Sequence, residues 1–177
     1  MLNGTLLALL ALALPVTPGP LAARPADTSA LQFRGFRAGA RLDELDALMR
    51  RTGGGRLRCK PAKRDPRVSE CRGTVRDSTV GRVTVWVSAM DSLAGIITLA
   101  AAVDSTGLGH WRRDLERRYG KVTARAQGNQ SMLQWVRRGR MLRLTWRTDR
   151  GELAASVSLV DGRVLDAWGR GRAAASP

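Results

Sequence analysis

The chain has 177 residues, of which 44% are hydrophobic, so it can build a buried core and is not disordered as a whole. Thirty Lys and Arg residues stand against 15 Asp and Glu, which gives a formal net charge of +15. The charged fraction of 25% is ordinary for a globular protein, so it is the imbalance of sign that needs explaining. Length and composition exclude a multidomain enzyme, a coiled coil and a polytopic membrane protein.

Residues 1–23 have the layout of a secretory signal peptide. An unbroken apolar run, Leu6 to Leu14, precedes prolines, a glycine and the small residues Ala22 and Ala23. The nine residues of this run are too few to span a bilayer, which needs about 20. We therefore predict an exported protein, periplasmic or extracellular, cleaved after Ala23 or Ala26, with no transmembrane span in the mature chain. An uncleaved anchor and a buried N-terminal helix are the alternatives.

The two cysteines fit an exported protein. Cys59 and Cys71 lie twelve positions apart in a segment whose prolines and charges are typical of a loop. Metal sites normally show a Cys-x-x-Cys knuckle or additional histidines, and this sequence has neither. A disulfide between Cys59 and Cys71 is therefore predicted, with two unpaired thiols as the alternative.

The first half of the mature chain predicts a helix and then three strands. Apolar residues recur at spacings of three and four from Leu42 to Arg51, and the glycines at 53–55 provide a stop. Acidic residues at 43, 44 and 46 match the helix dipole, so we do not interpret them as a metal site. Alternating and β-branched apolar runs predict strands at 73–76, 82–90 and 96–103.

The second half predicts another helix and four strands. One helical stripe is formed by Leu108, Trp111, Leu115 and Tyr119. Ser105 or Thr106 is the expected N-terminal cap of this helix, and Gly120 its stop. An antiparallel meander with short turns is predicted at 121–127, 131–137, 141–147 and 152–160. A short closing piece at 164–168 follows, and residues 169–177 are expected to form a flexible tail.

The element order α-βββ-α-ββββ predicts one α+β domain over residues 31–168, with both helices packed on one face of the antiparallel sheet or sheets. It divides into two tandem helix-plus-meander units, 34–103 and 107–168. This layout resembles the β-lactamase-inhibitor type of fold in topology. The segment AGARLDELDALMRRTGG resembles the opening helix of small outer-membrane assembly lipoproteins of the SmpA/OmlA type. Neither resemblance assigns a functional residue.

Residues that carry catalysis are scarce. His110 is the only histidine, and we interpret it as a surface or boundary residue. There is no phosphate-binding glycine loop ending in Lys-Ser/Thr and no Gly-x-Ser-x-Gly elbow. We therefore expect no enzymatic activity, no cofactor and no metal.

The strand parities predict a basic face on the last meander. Its expected members are Lys121, Arg125, Arg143 and Arg147, with Arg138 and Arg140 at a turn. Such a surface suits an unknown protein partner or an anionic envelope component, such as an acidic polymer or a glycolipid. Nucleic acid is not expected, because the tryptophans are predicted to face the core rather than stack between basic residues. A solvated arginine face without a ligand is the alternative.

The functional prediction is an exported, non-enzymatic binding or cell-envelope accessory module. Anion binding by the basic face, and an outer-membrane assembly role of the SmpA/OmlA type, are the alternatives. The charge is spread along the mature chain, with +7 over 31–80, +3 over 81–130 and +5 over 131–177. It is carried by 27 Arg and only 3 Lys, a bias that a GC-rich genome would produce without any ligand.

Overall fold

The computed structural model describes residues 30–173, and the side chains of residues 30–169. The predicted signal peptide, both cleavage positions and residues 174–177 lie outside this range. The strands are β1 Gln32–Phe33, β2 Phe36–Arg37, β3 Arg58–Pro61, β4 Val68–Asp77, β5 Gly81–Met90, β6 Leu93–Ala102, β7 Arg125–Gln127, β8 Gln130–Arg137, β9 Arg140–Asp149 and β10 Glu152–Asp161. The helices are α1 Leu42–Arg51, α2 Ser105–Tyr119 and α3 Gly162–Ala173. Within the described range, every helix is too short or too polar to cross a membrane.

Eight of the strands form one antiparallel sheet in the order β3-β4-β5-β6-β10-β9-β8-β7, and β1 and β2 form a separate hairpin. Each of α1 and α2 is followed by a four-stranded meander. The last strands of the two meanders, β6 and β10, pair at the middle of the sheet, from Ile96 opposite Val160 to Ala102 opposite Ala154. The two meanders therefore contribute to one continuous surface.

The fold is mixed α+β with antiparallel sheets, but the predicted order and number of helices were wrong. A hairpin precedes α1, and β3 forms where a loop was expected. All four residues of β3 are exposed, so no hydrophobic pattern signals this strand. The predicted closing piece at 164–168 lies within α3, whose Leu165 and Trp168 pack where Gly95 has no side chain. This helix extends to Ala173, into the segment expected to be a tail.

The core lies between one face of the large sheet and the helices α1 and α2. A representative row of buried residues crosses β5, β6, β10 and β9 at Val85, Leu99, Val157 and Leu144. The helices add Leu45, Met49, Trp111, Leu115 and Tyr119 to the same cluster. Because side chains alternate along a strand, the residues between these core positions lie on the opposite surface of the sheet, called here the open face.

Both predicted main helices form. The predicted bounds of α1, Leu42 to Arg51, are those of the structure. In α2 the cap is Asp104 rather than Ser105 or Thr106, because its Oδ1 accepts a 2.6 Å hydrogen bond from the backbone N–H of Gly107. Gly120 ends this helix with a φ of 90°, as its glycine stop requires.

Candidate functional site

The open face has small residues at its centre and long ones on both sides. Two rows cross β5, β6, β10 and β9, namely Trp86, Thr98, Ser158 and Arg143; and Thr84, Ala100, Ser156 and Thr145. A third row, Ala102, Ala154 and Arg147, crosses β6, β10 and β9, and Arg82 of β5 lines the same cavity as these three residues. The two central strands contribute only threonine, serine and alanine to these rows. The flanking strands hold the arginines and the tryptophan above this floor.

On one side of the floor lie Arg72, Arg76 and Arg82, called here the β4–β5 arginines. Arg76 and Arg82 are cross-strand partners, and all three residues are exposed. The guanidinium carbon of Arg72 lies 5.4 Å from the ring centroid of Trp86, in a cation–π contact. Trp86 is 36% exposed, so the prediction that the tryptophans face the core was wrong for this residue. The open face therefore carries an aromatic ring in contact with an arginine.

On the other side lie Arg125, Arg143 and Arg147, called here the β7–β9 arginines. They share the open face, as the strand parities predicted. Arg143 donates from Nε at 3.0 Å and from Nη2 at 2.7 Å to Oε1 of Gln134. This neutral partner fixes the guanidinium without cancelling its charge. Arg125 and Arg147 are exposed.

The other three residues predicted for the basic face lie elsewhere. Lys121 is exposed in the loop between α2 and β7, and Arg138 is exposed in the β8–β9 turn with a φ of 49°. Arg140 has core-side parity and forms an ion pair, Nε to Oδ2 at 2.7 Å, with the buried Asp161. Arg140 is therefore a structural residue and does not belong to the open face.

Carboxylates neutralise arginines mainly away from the open face. Among residues 30–169, nearly all ion pairs join residues of the helices, the β1–β2 hairpin, loops and strand ends. The exception lies near the edge of the sheet, where Nζ of Lys60 on β3 is 4.0 Å from Oε2 of Glu70 on β4. In that same range, none of the six open-face arginines has a carboxylate partner. By strand parity the open face also carries Glu70, Asp149 and Glu152, so its six arginines leave an excess of positive charge rather than an exclusively basic surface.

A cavity of about 610 Å³ lies between Arg82 and Arg147. Its floor includes Ala102 and Ala154, which are cross-strand partners. Since Arg82 lies on β5 and Arg147 on β9, three strand spacings, or roughly 14 Å, separate their backbones. The cavity therefore has a cation on each side of an uncharged floor, in which Ala102 and Ala154 lie beside the hydroxyl-bearing Thr84, Ser156 and Thr145.

The β4–β5 turn beside this cavity is fixed by Asp77. Its Oδ2 accepts a hydrogen bond from Nε of Arg34 at 2.6 Å, and its Oδ1 accepts one from the backbone N–H of Thr79 at 2.8 Å. Burial raises the pKa of Asp77, but the Thr79 hydrogen bonds and the Arg34 charge together outweigh burial, so the pKa lies below its ordinary value. An ionised carboxylate with these fixed partners stabilises the turn.

Two features of the described residues bear on catalysis. His110 is exposed on α2. In the part of the chain that the structure describes, no three residues of His, Cys, Asp or Glu form a group able to hold a metal ion. The predicted disulfide is confirmed, with the two sulfurs of Cys59 and Cys71 joined at 2.02 Å between β3 and β4.

Sequence reasoning missed Arg72, Arg76, Arg82 and Trp86 as members of the candidate site. The signal was available in part, because Arg82 and Trp86 alternate with the valines of the strand predicted at 82–90. Comparison of the chain with protein-family models, with curated proteins and with solved structures found no match. The open face is therefore interpreted from its own residues and their chemistry.

Proposed function

We propose that this protein is an exported, non-enzymatic binding module whose partner contacts the open face of the large sheet. One observation carries the proposal: the β4–β5 and β7–β9 arginines share this face, and within residues 30–169 they have no carboxylate partner. Like charges gathered on one surface repel each other, and an acidic partner relieves that repulsion. A solvated face with no ligand is the competing interpretation.

Export is supported by two features. The predicted signal peptide provides the route, and the disulfide between Cys59 and Cys71 is of a kind that persists in oxidising compartments and is rare in the cytosol. Mass spectrometry of the protein from its producing cells would show a chain starting after Ala23 or Ala26. Recovery of the chain with its apolar run intact in the cytosol would contradict export.

A second candidate is anion binding that works mainly through charge, with an acidic polymer or a glycolipid as ligand. The contact between Arg72 and Trp86 favours it, because a polyanion with planar or apolar groups can use both. The outer-membrane assembly alternative depends on the resemblance of residues 38–54 alone and stays a prediction.

The proposal is tested by salt-gradient elution from heparin, a polyanion probe. The face variant carries Arg82→Gln and Arg147→Gln. The matched control carries Arg51→Gln and Arg113→Gln, which remove the same charge from exposed positions on α1 and α2. We expect the face variant to elute at clearly lower salt and the control to elute near the unmodified protein. Equal shifts in both variants would mean that retention depends on net charge alone, and this result would contradict the open face as the binding site.

A further inference from the structure

The cavity between Arg82 and Arg147 offers more than positive charge. Ala154 is the cross-strand partner of both Ala102 and Arg147. Arg82 lines the same cavity from β5, on the other side of β6, so the two alanines lie between the two arginines. The cavity above them, of about 610 Å³, has no charged group on its floor. A ligand that crosses this cavity meets a cation, an apolar surface and then a second cation.

This order of contacts, with an apolar surface between two cations, favours a protein segment over a uniform polyanion as the ligand. A polyanion would place charged groups over Ala102 and Ala154, where the lining offers the hydroxyls of Ser156 and Thr145 but no cation to replace the water that is lost. A protein segment can place an apolar side chain over the alanines and carboxylates over the arginines. Arginine is also the residue that best matches carboxylate geometry, through paired N–H donors.

The distance between the two arginines restricts the spacing of the carboxylates. An extended chain advances about 3.3 Å per residue, so side chains four positions apart are separated by about 13 Å. The backbones of Arg82 and Arg147 are about 14 Å apart, across three strand spacings. We infer that the open face docks an extended acidic segment of a partner protein, with two carboxylates four positions apart and an apolar residue between them. This inference rests on the proposed function.

Two peptides of equal composition test the spacing. One has the core Glu-Gly-Leu-Gly-Glu, and the other the core Glu-Glu-Leu-Gly-Gly. Titration of the isotope-labelled protein at low salt, followed by NMR, gives a dissociation constant for each peptide. We expect the spaced peptide to bind about threefold tighter or better, and the preference to disappear in the face variant with Arg82→Gln and Arg147→Gln. Equal affinities in the unmodified protein would overturn the inference.

A second variant tests the apolar floor without changing charge. Ala102→Ile with Ala154→Ile fills the cavity with residues that strands accept. Ala124→Ile with Ala126→Ile, at exposed positions in and just before the edge strand β7, is the matched control. We expect the filled variant to lose the preference for the spaced peptide while its heparin elution stays unchanged. Retention of that preference would overturn the inference. If heparin elution depends on the open face but the two peptides bind equally, the proposed function is supported and only the docking of a spaced acidic segment is contradicted.

Discussion

Arg140 donates a 2.7 Å hydrogen bond from Nε to Oδ2 of Asp161, whose side chain is 3% exposed. The other carboxylate oxygen of Asp161 accepts a 3.0 Å bond from the backbone N–H of Arg163. The pair therefore joins the start of β9 to the end of β10 and the first turn of α3. It also explains why an arginine predicted for the basic face contributes to the fold instead.

We expect Asp161→Ala to lower the free energy of unfolding by about 3 kcal/mol. The substitution leaves the largely buried guanidinium of Arg140 without its counter-charge and the N–H of Arg163 without its acceptor. Urea unfolding measures the loss. Asp166→Ala, at an exposed position of α3, is the control and should change stability by less than about 0.5 kcal/mol. A similar small effect of Asp161→Ala would show that solvent replaces the pair.

The lowered pKa of Asp77 predicts a loss of stability in acid. A carboxyl group with a lower pKa in the folded state stabilises that state above its unfolded pKa, which is about 3.9 for Asp, and this contribution is lost as the pH falls through the folded-state pKa. Unfolding measured across the acidic range should show a steeper decline for the unmodified protein than for Asp77→Asn. Superimposable curves for Asp77→Asn and the unmodified protein would contradict this role.

Reduction of the Cys59–Cys71 bond should destabilise the protein by about 3 kcal/mol, the chain-entropy value for a loop of this length. Because β3 is fully exposed, the loss should also appear as faster amide exchange in β3, with the centre of the sheet, β6 and β10, much less affected. Unfolding and hydrogen exchange with and without reductant provide both measurements. Unchanged stability after complete reduction would show that β3 is held by its hydrogen bonds alone.

The glycines at 53–55 are expected to differ sharply in tolerance. A Cβ at Gly54 would collide with the backbone carbonyl oxygen of Thr74, whereas a Cβ at Gly55 would meet no atom within 4 Å. We therefore expect Gly54→Ala to cost about 2 kcal/mol, as overpacking does, and Gly55→Ala to be neutral or slightly stabilising. Thermal unfolding of the two variants compares them directly. Equal effects would mean that α1 moves away from β4 without cost.

Much of the local structure was predictable from the sequence. The spacing of Leu45 and Met49 places both on one helical face, and the same two residues are buried on α1. The alternation of Val83, Val85 and Val87 predicted a half-buried strand, and these valines are buried. The failures were β3, whose residues are all exposed, and the first hairpin, whose two-residue strands are too short to show a period.

By itself the sequence determined the main helices, most of the strands, the disulfide partners and the excess of positive charge, because these depend on periodicity, on a single cysteine pair and on composition. Only the tertiary structure decided which arginines keep their charge unpaired. Pairing joins residues that are distant in the chain, as when Arg34 reaches Asp77 and Asp114. The antiparallel contact of β6 with β10 likewise brings Arg82 and Arg147 to one cavity. Arginines that are spread along the chain are thereby brought onto one face of the sheet, since folding determines which residues lie side by side.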